Sequence, residues 1–151
     1  FYGKAGLETR RNFEEFVDVL FSRVEEISPA TCYSEIGKQN VGAFVRKMGA
    51  LFAYVQAWHV TYNHSRPSYL IRGSNLGFSH VDFWGKDDTL TPKMAIASEP
   101  CSCVADVCCG RGLIPVSAFQ LGKKFVAVEL NKRRMACTID KIAQLGGDFA
   151  V

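Results

Sequence analysis

The chain has 151 residues, 48% of them hydrophobic and 22% charged, and a formal net charge of +3. That is enough chain for one domain with its own core, in the composition of an ordinary globular protein without repeats or low-complexity tracts. No run approaches the ~18–20 apolar residues of a membrane span and no charged-then-apolar leader opens the chain, so membrane contact and secretion are excluded as expectations.

In chain order, Asn12 is placed to cap a helix with Glu15 three residues on. Phe13, Phe16, Val17, Leu20, Phe21, Val24 and Ile27 then recur at helical spacing, and Ser28-Pro29 ends the run. This stripe reads as core. Cys32 to Gln39 reads as a connection. A second helix is predicted after Asn40, burying Val41, Phe44, Val45, Met48, Phe52 and Val55. Gly42 and Gly49 lower its propensity by about 1 kcal/mol each, which close packing against a sheet would explain.

Residues 57–63 and 68–72 alternate as two strands of a hairpin around a turn at His64–Pro67, with Gly73-Ser74-Asn75 as the stop. Val81–Trp84 reads as a short extended piece and Gly85–Asp88 as a polar loop. Thr91-Pro92 opens a short helix. Cys103–Val107 is predicted as a strand, Leu113–Leu121 as a helix with Pro115 in its first turn, and Phe125–Leu130 as a strand. Asn131 caps a last helix, with Met135, Ile139, Ile142 and Ala143 inward and Gly146-Gly147 at its end.

Strands alternating with helices in the C-terminal half imply a parallel sheet covered on both faces. The fold class is therefore α/β: a Rossmann-like sheet, mostly parallel with one hairpin, in a single domain spanning 1–151.

Six cysteines are present, four of them at 101, 103, 108 and 109. This spacing matches no common zinc motif and no His lies nearby. Buried, reduced thiols are expected over metal ligands, and with them an intracellular compartment. The stretch 36–81 holds no acid but contains Lys38, Arg46, Lys47, Arg66, Arg72 and all three His. Such a surface suits a polyanion such as DNA, although a solvated basic face reads equally well.

The chemistry concentrates late in the chain. Gly110 and Gly112 sit where a strand must turn sharply into a helix, allowing close backbone approach beside free helix N–H groups. Glu129 ends the next strand, where an acid accepts hydrogen bonds from ribose hydroxyls. The third glycine of a dinucleotide fingerprint is replaced by Pro115. Asp106, just before the turn, suits a ligand carrying an ammonium and disfavours a pyrophosphate. The pattern favours S-adenosyl-L-methionine over NAD, with a plain strand–turn–helix as the bland reading.

Asp106-x-Cys108-Cys109-Gly110-x-Gly112 resembles the Asp-Pro-Phe-x-Gly-x-Gly signature of S-adenosylmethionine-dependent DNA amino-methyltransferases. In their permuted order this signature follows the catalytic half, as about 100 residues precede it here. Asp88-Thr89-Leu90-Thr91-Pro92 stands at the family's upstream cofactor segment, with Thr91 in place of its lysine. Gly122–Asn131 is similar to its second strand with the ribose-binding acid, and the hairpin Trp58–Arg72 looks like its strand pair. The resemblance covers roughly residues 57–145.

It implies S-adenosyl-L-methionine held by Asp106, Cys108, Gly110, Gly112, Glu129, Asp88, Thr89 and Thr91. It also implies DNA bound through the basic region 36–81, and methyl transfer to an exocyclic base amine, adenine N6 before cytosine N4. The family's catalytic Asp/Asn/Ser-Pro-Pro-Tyr/Phe motif does not occur in these 151 residues. Phe1, in place of the motif's base-stacking aromatic, is expected at the edge of an N-terminal truncation. The alternatives are a non-catalytic S-adenosylmethionine-binding module and an RNA or small-molecule methyltransferase.

Overall fold

The computed structural model describes residues 13–63, 65–148 and 150. They fall into two compact units, one ending at Gly85 and the other starting at Lys86.

In the first unit, helix α1 (Phe13–Ile27) buries Val17 and Phe21, one helical turn apart. Phe13, Leu20 and Val24 pack beside them, but Phe16 and Ile27, expected in the same stripe, are 49% and 63% exposed. The predicted cap Asn12 lies outside the described residues. After a strand, β1 (Thr31–Ile36), and one 3-10 turn, helix α2 (Val41–Leu51) buries Phe44 and Met48. Phe21 meets Phe44 edge-on at 5.3 Å.

The segment read as a connection is thus strand β1. Its own alternation is weak; the state is set by pairing with β3 (Arg66–Ser74), from Thr31 opposite Ser74 to Ile36 opposite Tyr69. β3 also pairs with β2 (Tyr54–Tyr62), so the antiparallel sheet runs β1-β3-β2. Both hairpin strands are longer than predicted, and Gly73 and Ser74 continue β3 rather than stopping it.

Gly73 is where close approach is real. A Cβ there would lie 2.4 Å from the Phe52 ring and 2.8 Å from Met48 Sδ. Gly42 and Gly49, expected to allow such packing, are exposed, and a Cβ on Gly49 would meet nothing within 4 Å. On the opposite sheet face Phe83 is fully buried, its ring edge-on to Trp58 at 5.0 Å. Residues 81–84 form no strand; Phe83 is instead fixed as a plug, and the next turn closes with Gly85 N–H donating to His59 O at 2.8 Å.

The second unit runs α3 (Thr91–Ser98), β4 (Cys103–Asp106), α4 (Leu113–Gln120), β5 (Lys124–Ala127) and α5 (Lys132–Gln144). β4 and β5 are parallel, from Cys103 opposite Lys124 to Asp106 opposite Ala127. A crossover through α4 permits this, whereas the short turn between β2 and β3 forces antiparallel pairing. α4 packs between α3, α5 and the sheet, burying Pro115, Ser117 and Ala118. The side chains of β4 and β5 pointing away from α4 are uncovered among the described residues: Ala105 is exposed and Val126 is 59% exposed.

The fold is α/β, with a three-stranded antiparallel sheet and a two-stranded parallel one. Cover on both faces of a mostly parallel sheet, as the alternation predicted, is not what the described residues form. No helix among them is long and apolar enough to cross a membrane.

Candidate functional site

Strand β4 ends at Asp106, and the chain then turns through 107–112 before α4 begins. Gly110 and Gly112 both adopt positive φ, +57° and +84°, a region where other L-residues are strained. The ladder continues past the strands: Val128 N–H donates to Asp106 O at 2.8 Å and Cys109 N–H to Val128 O at 3.0 Å. The turn is therefore tied to the chain just beyond β5, beside Glu129.

Two carboxylates meet at this edge. Asp106 Oδ1 accepts from Cys108 N–H at 3.0 Å, and Glu129 Oε1 accepts from Asn131 N–H at 2.8 Å. Neither is in an ion pair among the described residues. Burial raises the Asp106 pKa, the Cys108 N–H bond opposes the shift, and the charge of Glu129 adds to it. Partial desolvation, then the charges of Asp106 and Glu129, push the Cys108 thiol up. Burial raises the Cys109 thiol too, against a hydrogen bond from Thr138 and with the same two carboxylates adding. The end of the parallel sheet thus carries two carboxylates, neither in an ion pair among the described residues, next to open backbone. A Cβ on Gly110 would meet only Cys108 O, at 3.9 Å. Carboxylates without cations beside an uncrowded glycine suit a cationic group, such as a sulfonium or ammonium, and ribose hydroxyls.

Asp106, Cys108, Gly110, Gly112 and Glu129 are therefore brought together. The other predicted residues sit on the approach to α3. Thr89 is exposed and its hydroxyl bonds Asp87 Oδ1 at 2.6 Å. Asp88 is half-buried, and Thr91, first residue of α3, is 1% exposed. Phe1 lies outside the described residues. Cys103 and Cys108, expected as buried thiols, are exposed, while Cys109 is buried. No group of three or more His, Cys, Asp or Glu side chains among the described residues is placed to hold a metal.

In the first unit, Arg72 leaves the basic surface. It is 4% exposed, its guanidinium donating to Gly77 O at 2.6 Å and lying 6.0 Å from the Tyr33 ring centre. Lys47 pairs with Asp18 at 2.7 Å. Lys38, Arg46 and Arg66 are exposed.

Sequence reasoning missed Thr138 and Lys141. Thr138 is 3% exposed and its Oγ1 lies 3.5 Å from Gly110 O, while Lys141 Nζ donates to Arg111 O at 2.8 Å. The available signal was a threonine on the inward face of α5. Ala143, expected there, is exposed.

No family model matches the sequence, and no curated protein matches it. Solved structures do share the fold. M1.HpyAVI superposes with a TM-score of 0.59 over 75% of this chain and 72% of its own, at 11% identity. M1.HpyAVI has also been crystallised in complex with S-adenosylmethionine. TTHA0409 from Thermus thermophilus, designated a DNA modification methylase, superposes with a TM-score of 0.67 over 92% of this chain and 83% of its own, at 15% identity. It too has been crystallised with S-adenosyl-L-methionine. The likeness read from the motifs extends over most of the backbone: this chain shares the fold of M1.HpyAVI and of TTHA0409.

Proposed function

We propose that this chain is an S-adenosylmethionine-dependent DNA methyltransferase acting on an exocyclic base amine, adenine N6 before cytosine N4. The observation that carries it is the pair Asp106 and Glu129, uncompensated carboxylates flanking a left-handed glycine turn at the end of β4 and β5. That both fold relatives have been crystallised with S-adenosylmethionine supports the cofactor. We read 1–151 as one methyltransferase domain, with β4 and β5 as part of a Rossmann-like sheet.

Asp106 and the turn at Cys108, Gly110 and Gly112 hold the cationic methionine end, and Glu129 receives the ribose hydroxyls. Asp88, Thr89 and Thr91 add polar contacts. When bound, the cofactor supplies a methyl group on a cationic sulfur for transfer to the amine. The residues orient it and keep the surrounding potential negative. DNA is contacted through Lys38, Arg46 and Arg66 of the basic region 36–81, and Phe1 stacks on the target base.

Isothermal titration with S-adenosylmethionine tests the premise. Binding by wild type, weakened at least about tenfold in Asp106→Asn and Glu129→Ala, is expected. No binding by well-folded protein would refute the cofactor. Tritium transfer to DNA, with separation of the methylated bases, then decides activity and target. Binding without transfer would identify a cofactor-binding module.

A further inference from the structure

The two candidate ligand groups, the glycine turn and Glu129, belong to different strand ends, yet one helix holds both. At its start, Asn131 N–H donates to Glu129 Oε1, while Asn131 Oδ1 accepts from Arg133 N–H at 3.1 Å and Arg134 N–H at 3.3 Å. The cap that begins α5 therefore also fixes the Glu129 carboxylate. Two turns on, Thr138 and Lys141 share one face of the helix, three residues apart.

Thr138 meets the turn in two ways. Its hydroxyl has one proton, for which Gly110 O at 3.5 Å and Arg134 O at 3.3 Å compete. Its methyl fills the space beside Gly112, where a Cβ would come within 2.7 Å of it. Lys141 Nζ reaches Arg111 O, the carbonyl between the two glycines. Besides Gly112 N–H to Cys109 O at 2.8 Å, the backbone ties the turn 109–112 at its two ends, through Cys109 N–H to Val128 O at 3.0 Å and Val116 N–H to Gly112 O at 3.0 Å; the carbonyls between those ends are met from α5.

We propose that Thr138 and Lys141 are positioning residues that clamp the turn 109–112 onto α5, so that one helix sets the turn's shape and its placement against Glu129. The clamp's role in ligand affinity rests on the cofactor reading above; its action on the turn does not. A glycine turn left to itself samples many conformations, and restricting it beforehand lowers the entropy lost on binding.

The experiment combines amide hydrogen exchange on the free protein with titration of S-adenosylmethionine, for Thr138→Val, Thr138→Ser and Lys141→Met. Valine keeps the shape and removes the hydroxyl; serine restores it. Thr138→Val is expected to speed exchange at residues 109–112 while leaving β4 and β5 amides unchanged. It should weaken binding about tenfold, and Lys141→Met about threefold. Thr138→Ser should recover affinity to within about twofold of wild type. Unchanged turn exchange, or an equal rise in turn and strand amides, would overturn the clamp. Should wild type bind no S-adenosylmethionine, the cofactor reading fails and the exchange comparison alone decides the clamp.

Discussion

Gly112 and Thr138 leave each other no room to grow: a Cβ on Gly112 would sit 2.7 Å from Thr138 Cγ2 and 2.8 Å from its Oγ1. Gly112→Ala must therefore displace a buried threonine and also hold alanine at φ +84°. The backbone term alone is about 1–2 kcal/mol. Urea denaturation should show at least that loss. Gly110→Ala, with the same left-handed constraint but an open neighbourhood, should cost less, about 1 kcal/mol.

Asp106 should trade stability for its site. Its carboxyl is raised above 3.8 chiefly by burial. The unfolded chain releases that proton at lower pH than the folded one, so stability is retained below 3.8 and falls as pH rises through the folded value. Asp106→Asn still accepts from Cys108 N–H and carries no charge. It should melt higher than wild type at neutral pH, with the gap closing by about pH 3, while losing affinity for S-adenosylmethionine. Melting curves across the acid-to-neutral range test this, and a variant that melts lower at neutral pH would show that a cation already partners Asp106.

The same potential acts on thiols. Cys108 is exposed, yet its pKa is raised by desolvation and by Asp106 and Glu129. Removing the Glu129 charge in Glu129→Gln should speed its alkylation by iodoacetamide about two- to fivefold at about pH 7.5, since the thiolate is the nucleophile. Cys32, pushed up to about 11 by burial, provides a slow internal reference. Equal Cys108 rates in both proteins would place Glu129 too far away to matter.

The basic region should divide by burial. Lys38→Ala and Arg66→Ala should each lower the salt dependence of DNA binding by about one unit of slope without changing stability. Arg72→Met should instead cost about 1.5–3 kcal/mol, because a buried charge-assisted bond to Gly77 O is lost. Fluorescence anisotropy over a salt series, beside denaturation curves, separates the two effects.

The helices were legible because their signals are local. Thr91-Pro92 starts α3 and Asn131 caps α5 with its own side chain, as expected. The turn at Gly110 and Gly112 and its neighbour Glu129 were also readable, since glycine and acid mark a strand end directly. β1 was hidden because Thr31–Ile36 becomes a strand only against β3. Arg72 looked like surface charge because nothing local reveals that Tyr33 and Gly77 enclose it. Thr138 was missed for the same reason: its partner lies 28 residues earlier, at Gly110.

The strand order β1-β3-β2 has a consequence during translation. β3 is the central strand but the last of the three to be made, and Thr31 must wait for Ser74. At about 5–20 residues per second, the 43 positions between them leave β1 without its sheet partner for about 2–9 s. In that interval Met48 and Phe52 lack the cover of Gly73 on the emerging chain. Early release, or a chain stalled before β3 emerges, would present a sticky intermediate to chaperones.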